Sequence, residues 1–127
     1  GSYINDIKII NKKKTYISEP SGSISSKYWN KKYTNTIDRL KKNFINNNSY
    51  KCIGYEYVDI AKGKRNYAIL SKLYPWDHIP GVLLVKESEG FVSHFDESSY
   101  NHLLSNSDLV VTNSNYLLNE ILNLIKE

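Results

Sequence analysis

Apolar residues recur along this chain with two different periods, and the alternation between them outlines the elements. From Thr34 to Ile45, the residues Ile37, Leu40, Lys41 and Phe44 fall three and four apart, one stripe of a helix that Asn46 to Asn48 would end. A second stripe runs through Ile53, Tyr57, Ile60 and Ala61, within a helix from Cys52 to Lys62 that Gly63 is placed to close in the left-handed conformation. A third, from Ser114 to Lys126, turns Leu117, Leu118, Ile121, Leu124 and Ile125 toward a core. The period shortens to two between Asn66 and Ser71, where Tyr67 and Ile69 alternate with Ala68 and Leu70. That strand is apolar on both faces and is expected at the centre of a sheet. Tyr3-Ile4 and Ile7 to Ile10 flank Asn5-Asp6, the pattern of a short β-hairpin. Thr15 to Ser18, Ser23 to Tyr28, Phe91 to Phe95 and Leu109 to Thr112 read as further strands, the first two separated by Pro20 and Gly22.

One segment combines both kinds of signal. Pro75-Trp76-Asp77-His78-Ile79-Pro80 opens a helix expected to run to Glu89, with Gly90 closing it; Asp77 suits the N-cap, and Pro80 would then sit in the first turn, where its missing N–H costs nothing. Strands alternating with helices predict an α/β fold, a layered, roughly five-stranded mixed sheet with flanking helices, in a single domain over residues 1–127.

Composition narrows the setting. The longest apolar run, Val82 to Val85, is far short of the roughly 20 residues that span a bilayer, and no apolar signal region follows the N-terminus. Cys52 is the sole cysteine and cannot form an intrachain disulfide, which suits a cytoplasmic location. The chain has no methionine, which leads us to expect sequence upstream of Gly1; Gly1-Ser2 reads either as a protease scar or as native.

Charge is uneven: residues 1–50 carry ten Lys or Arg against three Asp or Glu, and residues 51–127 carry seven against ten. A basic, tyrosine-rich front half is one route to nucleic-acid binding. The 15 Asn, 14 Ile and 15 Lys against 2 Arg point instead to an AT-rich coding bias and a solvated lysine surface. The three histidines, His78, His94 and His102, are too scattered for a zinc site and read as structural or surface residues. No Gly-x-Ser-x-Gly elbow, Walker A loop or dinucleotide fingerprint is present.

The segment from Pro75 to Gly90 carries the strongest signal. It resembles the C-terminal signature of the inositol monophosphatase family: Trp-Asp, two variable residues, a small residue, Gly, then aliphatics and Glu-Ala-Gly-Gly. Here Trp76, Asp77, Gly81, Glu87 and Gly90 keep the pattern, while Ser88 and Glu89 replace Ala and the first Gly. Upstream, Val58 to Gly63 resembles the family's Val-Ala-x-Gly helix end. Cys52-Ile53-Gly54-Tyr55-Glu56-Tyr57 is similar to the Cys-Ala-x-x-Glu-Tyr of a bacterial branch, and Gly1 to Lys8 is similar to the family's Gly-Ala-x-x-Asn-Gly hairpin.

The resemblance implies the C-terminal subdomain of a layered αβαβα sandwich and a Mg²⁺-dependent phosphomonoesterase, in which acidic side chains hold metal ions that activate water and neutralise the phosphate of a small inositol- or sugar-phosphate-like metabolite. It assigns Asp77 as a metal ligand, with a plain N-cap as the bland alternative, and places Lys51, Cys52 and Ile53 at the family's substrate-facing Gly-Ser/Thr-Ala turn. The family's Gly-Glu-Glu and Asp-Pro-x-Asp-Gly-Thr carboxylates do not occur here. An absent N-terminal half is therefore the implied partner, the chain alone is expected to be inactive, and a homodimer is compatible with the family. Leu70 stands near the position where some members recognise inositol hydroxyls with an acidic residue, which disfavours myo-inositol phosphate as the substrate. Two other classes stay open at this point: a truncated binding or oligomerisation module, and a basic nucleic-acid-binding domain.

Overall fold

A computed structural model describes residues 2–4, 7–9, 19–27, 29–44, 53–71, 75–101 and 108–127, with residues 2–4, 7–9 and 75–77 described by backbone alone. Two short strands, β1 (Ser2–Ile4) and β2 (Ile7–Ile9), pair antiparallel with Ile4 opposite Ile7, as the Asn5-Asp6 signal predicts. Then follow β3 (Gly22–Ile24), a 3₁₀ turn at Lys31–Tyr33, α1 (Thr34–Asn43), α2 (Ile53–Lys62), β4 (Tyr67–Leu70), α3 (Pro75–Glu87), β5 (Phe91–Ser93), β6 (Leu109–Thr112) and α4 (Asn115–Lys126). The expected strand at Thr15 to Ser18, together with Tyr28, Ile45 and the Asn46 to Asn48 stop, lies outside the described residues.

The main sheet has the order β3-β4-β6-β5, with β3 parallel to β4 and both other pairings antiparallel. It is the mixed sheet expected, with four strands where the sequence suggested about five. β4 is central and buried on both faces, and its two-residue alternation divides the core. Tyr67 and Ile69 join Ile24, Val110, Leu40 and Ile121 beneath α1 and α4. Ala68 and Leu70 join Leu109, Val111, Tyr57, Ile60, Val82 and Val85 beneath α2 and α3. The result is helix, sheet, helix, three layers with a core on each side of the sheet.

Three local expectations are corrected. α3 begins at Pro75, not after Asp77: a proline is pre-organised for the first helical position, so Pro75 starts the helix and Asp77 becomes its third residue. Pro80 is consequently interior, in the second turn. The same helix ends at Glu87 rather than Glu89. Its end is closed by Gly90 N–H donating to Val85 O (2.8 Å) and Glu89 N–H to Lys86 O (3.1 Å), with Glu89 at φ 67°. In α4 the fully buried stripe is Leu117, Leu118, Ile121 and Leu122, while Leu124 and Ile125 are half-buried.

Candidate active site

The topology fixes where two helix N-termini meet. α2 runs back to the start of β4, and α3 leaves from its end, so both helices run antiparallel to β4. Their first turns share the C-terminal edge of that strand. Both are long enough to carry an aligned dipole, and their positive ends favour anionic groups at this edge. In open α/β sheets this edge is where ligands are generally bound.

Asp77 lies in the first turn of α3 at this edge, a position where the helix dipole favours a negatively charged side chain. Its side chain and that of Trp76 lie outside the described residues, as do Lys51 and Cys52. Ile53, the third of the suggested substrate-facing residues, is the first residue of α2 and packs half-buried against the core beneath α2 and α3. Glu87 is exposed in the last turn of α3, ten residues and roughly 15 Å along the helix from Asp77. It belongs to the opposite end of the helix. Gly90 has a packing role: a Cβ there would press on Val85 and on the carbonyl of Thr112.

Side chains that sequence reasoning passed over hold this edge together. His78 is buried, and its Nδ1 shares a 2.7 Å hydrogen bond with the Tyr57 hydroxyl of α2. Gly81 makes that approach possible, because a Cβ at 81 would overlap the Tyr57 ring. Burial, and behind it the neighbouring Tyr100, pushes the Tyr57 phenol well above its ordinary range, so it stays protonated. Tyr100 is itself raised by burial, and among the described residues its hydroxyl has no hydrogen-bond partner.

One residue earlier on α2, Glu56 is buried. Its Oε1 accepts from Arg65 Nη1 at 2.6 Å and its Oε2 from the Ser23 hydroxyl of β3. Asn113, fully buried after β6, donates from Nδ2 to the Arg65 carbonyl (2.7 Å) and closes the network. Glu56 could have been noticed in the sequence as an acid on the apolar stripe of α2, and Arg65 as one of only two arginines. The Tyr57 contact with His78 had no local signal, since it joins residues 21 apart.

Among the described residues no three His, Cys, Asp or Glu side chains stand close enough to hold a metal ion. No described helix is long and apolar enough to cross a membrane.

The whole sequence, residues 1–127, matches the inositol monophosphatase family. The chain belongs to that family. Solved structures agree on the fold. A Ca²⁺-bound inositol monophosphatase family protein from Staphylococcus aureus superposes with a TM-score of 0.77 at 17% identity, over 96% of this chain and 45% of that one. The inositol monophosphatase of Thermotoga maritima gives 0.76 at 19% identity, over 98% and 47%. That of Zymomonas mobilis gives 0.80 at 13%, over 97% and 48%. This chain thus spans a little under half the length of the structures it matches. Another neighbour is an inositol monophosphatase/NADP phosphatase complexed with Mg²⁺ and phosphate. No curated protein matches the sequence.

The signature maps onto α3: Trp76-Asp77 lies in the first turn after Pro75, Gly81 admits Tyr57 and Gly90 closes the cap. Where the family pattern has its first Gly, this chain has Glu89 in the left-handed conformation that glycine adopts without cost.

Proposed function

We propose that this chain supplies the C-terminal part of a Mg²⁺-dependent phosphomonoesterase acting on a small phosphorylated metabolite, and that Asp77 is its contribution to the metal site. The observation that supports this best is the folded signature itself: Trp76-Asp77 in the first turn of α3, beside the first turn of α2, at the C-terminal end of β4. Mg²⁺ bound in such a site would neutralise phosphate oxygens and lower the pKa of a water. A hard cation needs about six oxygen ligands; no three candidate ligands cluster among the described residues, so in this reading Asp77 brings one carboxylate to a site completed from elsewhere. The remaining acidic ligands belong to an N-terminal half, as the coverage of a little under half of the relatives suggests.

The outer surface of α2 and α3 suits such a partner. Tyr55 on α2 and Ile79 and Leu83 on α3 are large apolar groups left exposed, with Ile79 and Leu83 one helical turn apart. α3 is thus apolar on the side facing the sheet and on the side facing away, the pattern of a helix covered from both directions. On the substrate side, Leu70 is buried among Ala68, Val111 and Val85 and offers no acceptor to a sugar hydroxyl, which supports a substrate other than myo-inositol phosphate. A cytoplasmic setting, where such metabolites occur, fits the sole cysteine.

The test is reconstitution. The 127-residue chain alone should not hydrolyse sugar or inositol phosphates with Mg²⁺ present, and adding the N-terminal half should restore turnover. In the reconstituted enzyme Asp77→Asn should lower kcat about a hundredfold or more, the size expected when one charge-stabilising group is lost. Full activity from the isolated chain, or an Asp77→Asn enzyme that works normally, would contradict the proposal.

A further inference from the structure

Within that reading, we infer that the buried Tyr57 and His78 pair, seated on Gly81, is a positioning device that fixes the first turn of α3 and thereby the aim of Asp77. Pro80 has no N–H, so the i to i−4 bond that would tie residue 80 to the carbonyl of Trp76 cannot form. The ring of Pro80 also crowds that same carbonyl. The turn that carries Trp76 and Asp77 is therefore tied less firmly by its own backbone than an ordinary first turn.

A tie from outside the helix takes its place. Tyr57 crosses from α2, lies against the bare backbone at Gly81 and meets His78 Nδ1 at 2.7 Å. The rings approach edge to face at 5.8 Å between centroids, with both residues buried. His78 is the next residue after Asp77, so holding its ring holds the backbone unit that the two share. Gly81, Tyr57, His78 and Pro80 make one arrangement: proline loosens the turn, glycine opens a path to it, and the phenol and imidazole secure it. The tie also gives a role to a buried polar pair at a position where hydrocarbon would serve plain packing as well.

The experiment compares Tyr57→Phe, which keeps the ring on Gly81 and removes only the hydroxyl, with His78→Asn and His78→Leu. Asn places an oxygen close to where Nδ1 sits; Leu supplies none. Amide exchange on the 127-residue chain is the first readout. Tyr57→Phe and His78→Leu should speed exchange at the amides of residues 78, 79, 81 and 82 about tenfold, the equivalent of one lost hydrogen bond, with β4 and α4 unchanged, and His78→Asn should restore most of the protection. A uniform increase across the chain, or none at those amides, overturns the inference.

The second readout is the Mg²⁺ concentration for half-maximal activity of the reconstituted enzyme. It should rise by about ten- to a hundredfold in Tyr57→Phe while kcat at saturating Mg²⁺ changes little. If Asp77→Asn raises the Mg²⁺ requirement and Tyr57→Phe does not, the positioning role is refuted. If Asp77→Asn leaves the requirement unchanged, the assignment of Asp77 as a ligand has failed, and the positioning claim falls with it even if the exchange data still show the tie.

Discussion

The two faces of the central sheet are covered by helix pairs of opposite character. α1 and α4 are ordinary amphipathic covers. Their inner stripes, Ile37 and Leu40 on one and Leu117, Leu118, Ile121 and Leu122 on the other, are buried, and their outer positions are Asn35, Asp38, Lys42, Asn119 and Asn123. The other pair inverts this. α2 and α3 place Glu56, Tyr57 and His78 in the interior and leave Tyr55, Ile79 and Leu83 outside. Hydrophobic burial accounts for most of the first face, where Tyr116 is the one large apolar group left exposed among the described residues of α1 and α4. The second carries polar groups where they are costly and apolar groups where they gain nothing, the two features that the proposed site and a covering partner would require.

The sharpest way to break the comparison is at Glu56. Its carboxylate is buried against Arg65 at 2.6 Å, with side-chain exposures of 3% and 8%. Glu56→Gln keeps the shape and leaves the buried guanidinium without its counter-charge, a change that costs about 3–5 kcal/mol in comparable pairs. Replacing both residues together, Glu56→Leu with Arg65→Met, should recover most of that loss, since a well-packed apolar pair is often as stable as the ion pair it replaces. Urea unfolding of the two single variants and the double variant measures the coupling. A loss under 1 kcal/mol for Glu56→Gln would mean that the polar interior of this face is incidental to its stability.

A smaller effect separates the two ends of the same face. α2 and α3 finish in the same backbone cap: Gly63 N–H donates to Ile60 O and Lys64 N–H to Asp59 O, as Glu89 and Gly90 do to Lys86 and Val85. The left-handed residue is glycine in the first, at φ 82°, and glutamate in the second, at φ 67°. Left-handed backbone costs a residue with a Cβ about 1–2 kcal/mol, so Glu89→Gly should stabilise the chain by about 1 kcal/mol, seen as a rise in Tm. Gly63→Ala should destabilise it by a similar amount. A neutral Glu89→Gly would show that contacts of the glutamate side chain offset the strain.

These cases mark what the sequence could reveal. Local periodicity was enough for β4, whose alternation of Tyr67, Ala68, Ile69 and Leu70 sorted itself onto the two cores, and for α1, whose stripe ended where Phe44 caps it. Gly63 announced its own cap. The start of α3 was misread because Asp77 is a good N-cap and an interior proline is disfavoured; Pro75, a better first residue, took the role, and Pro80 was tolerated. Gly22 read as a breaker, yet it lies within β3 because a side chain there would strike the Tyr67 backbone on the neighbouring strand. The partners of Glu56, Tyr57 and Asp108 were not legible, because each joins segments far apart in the chain and no local pattern encodes a long-range hydrogen bond. Of the proposed site, the family resemblance pointed to Asp77, and only the packing revealed the Tyr57 and His78 pair next to its backbone.

The quietest contrast lies in the titration of Tyr33, on the ordinary face. Burial, then the hydrogen bond from its hydroxyl to Asp108 Oδ2 (2.9 Å) and the negative charge of that carboxylate, raise the phenol to about 12. The folded value lies above the ordinary value of 10.0, so this contribution is intact below pH 10 and is lost as pH rises from 10 to 12, where the unfolded chain ionises first. At pH 7, Tyr33→Phe should cost no more than about 1 kcal/mol, the net worth of one half-exposed hydrogen bond. Above pH 10 the variant should lose stability less steeply than the parent. A slope will remain, because burial also raises Tyr57, Tyr67 and Tyr100. Denaturant midpoints at pH 7, 10 and 11 for the two proteins provide the check. Parallel curves across that range would remove Tyr33 from the alkaline response and leave it to these other phenols.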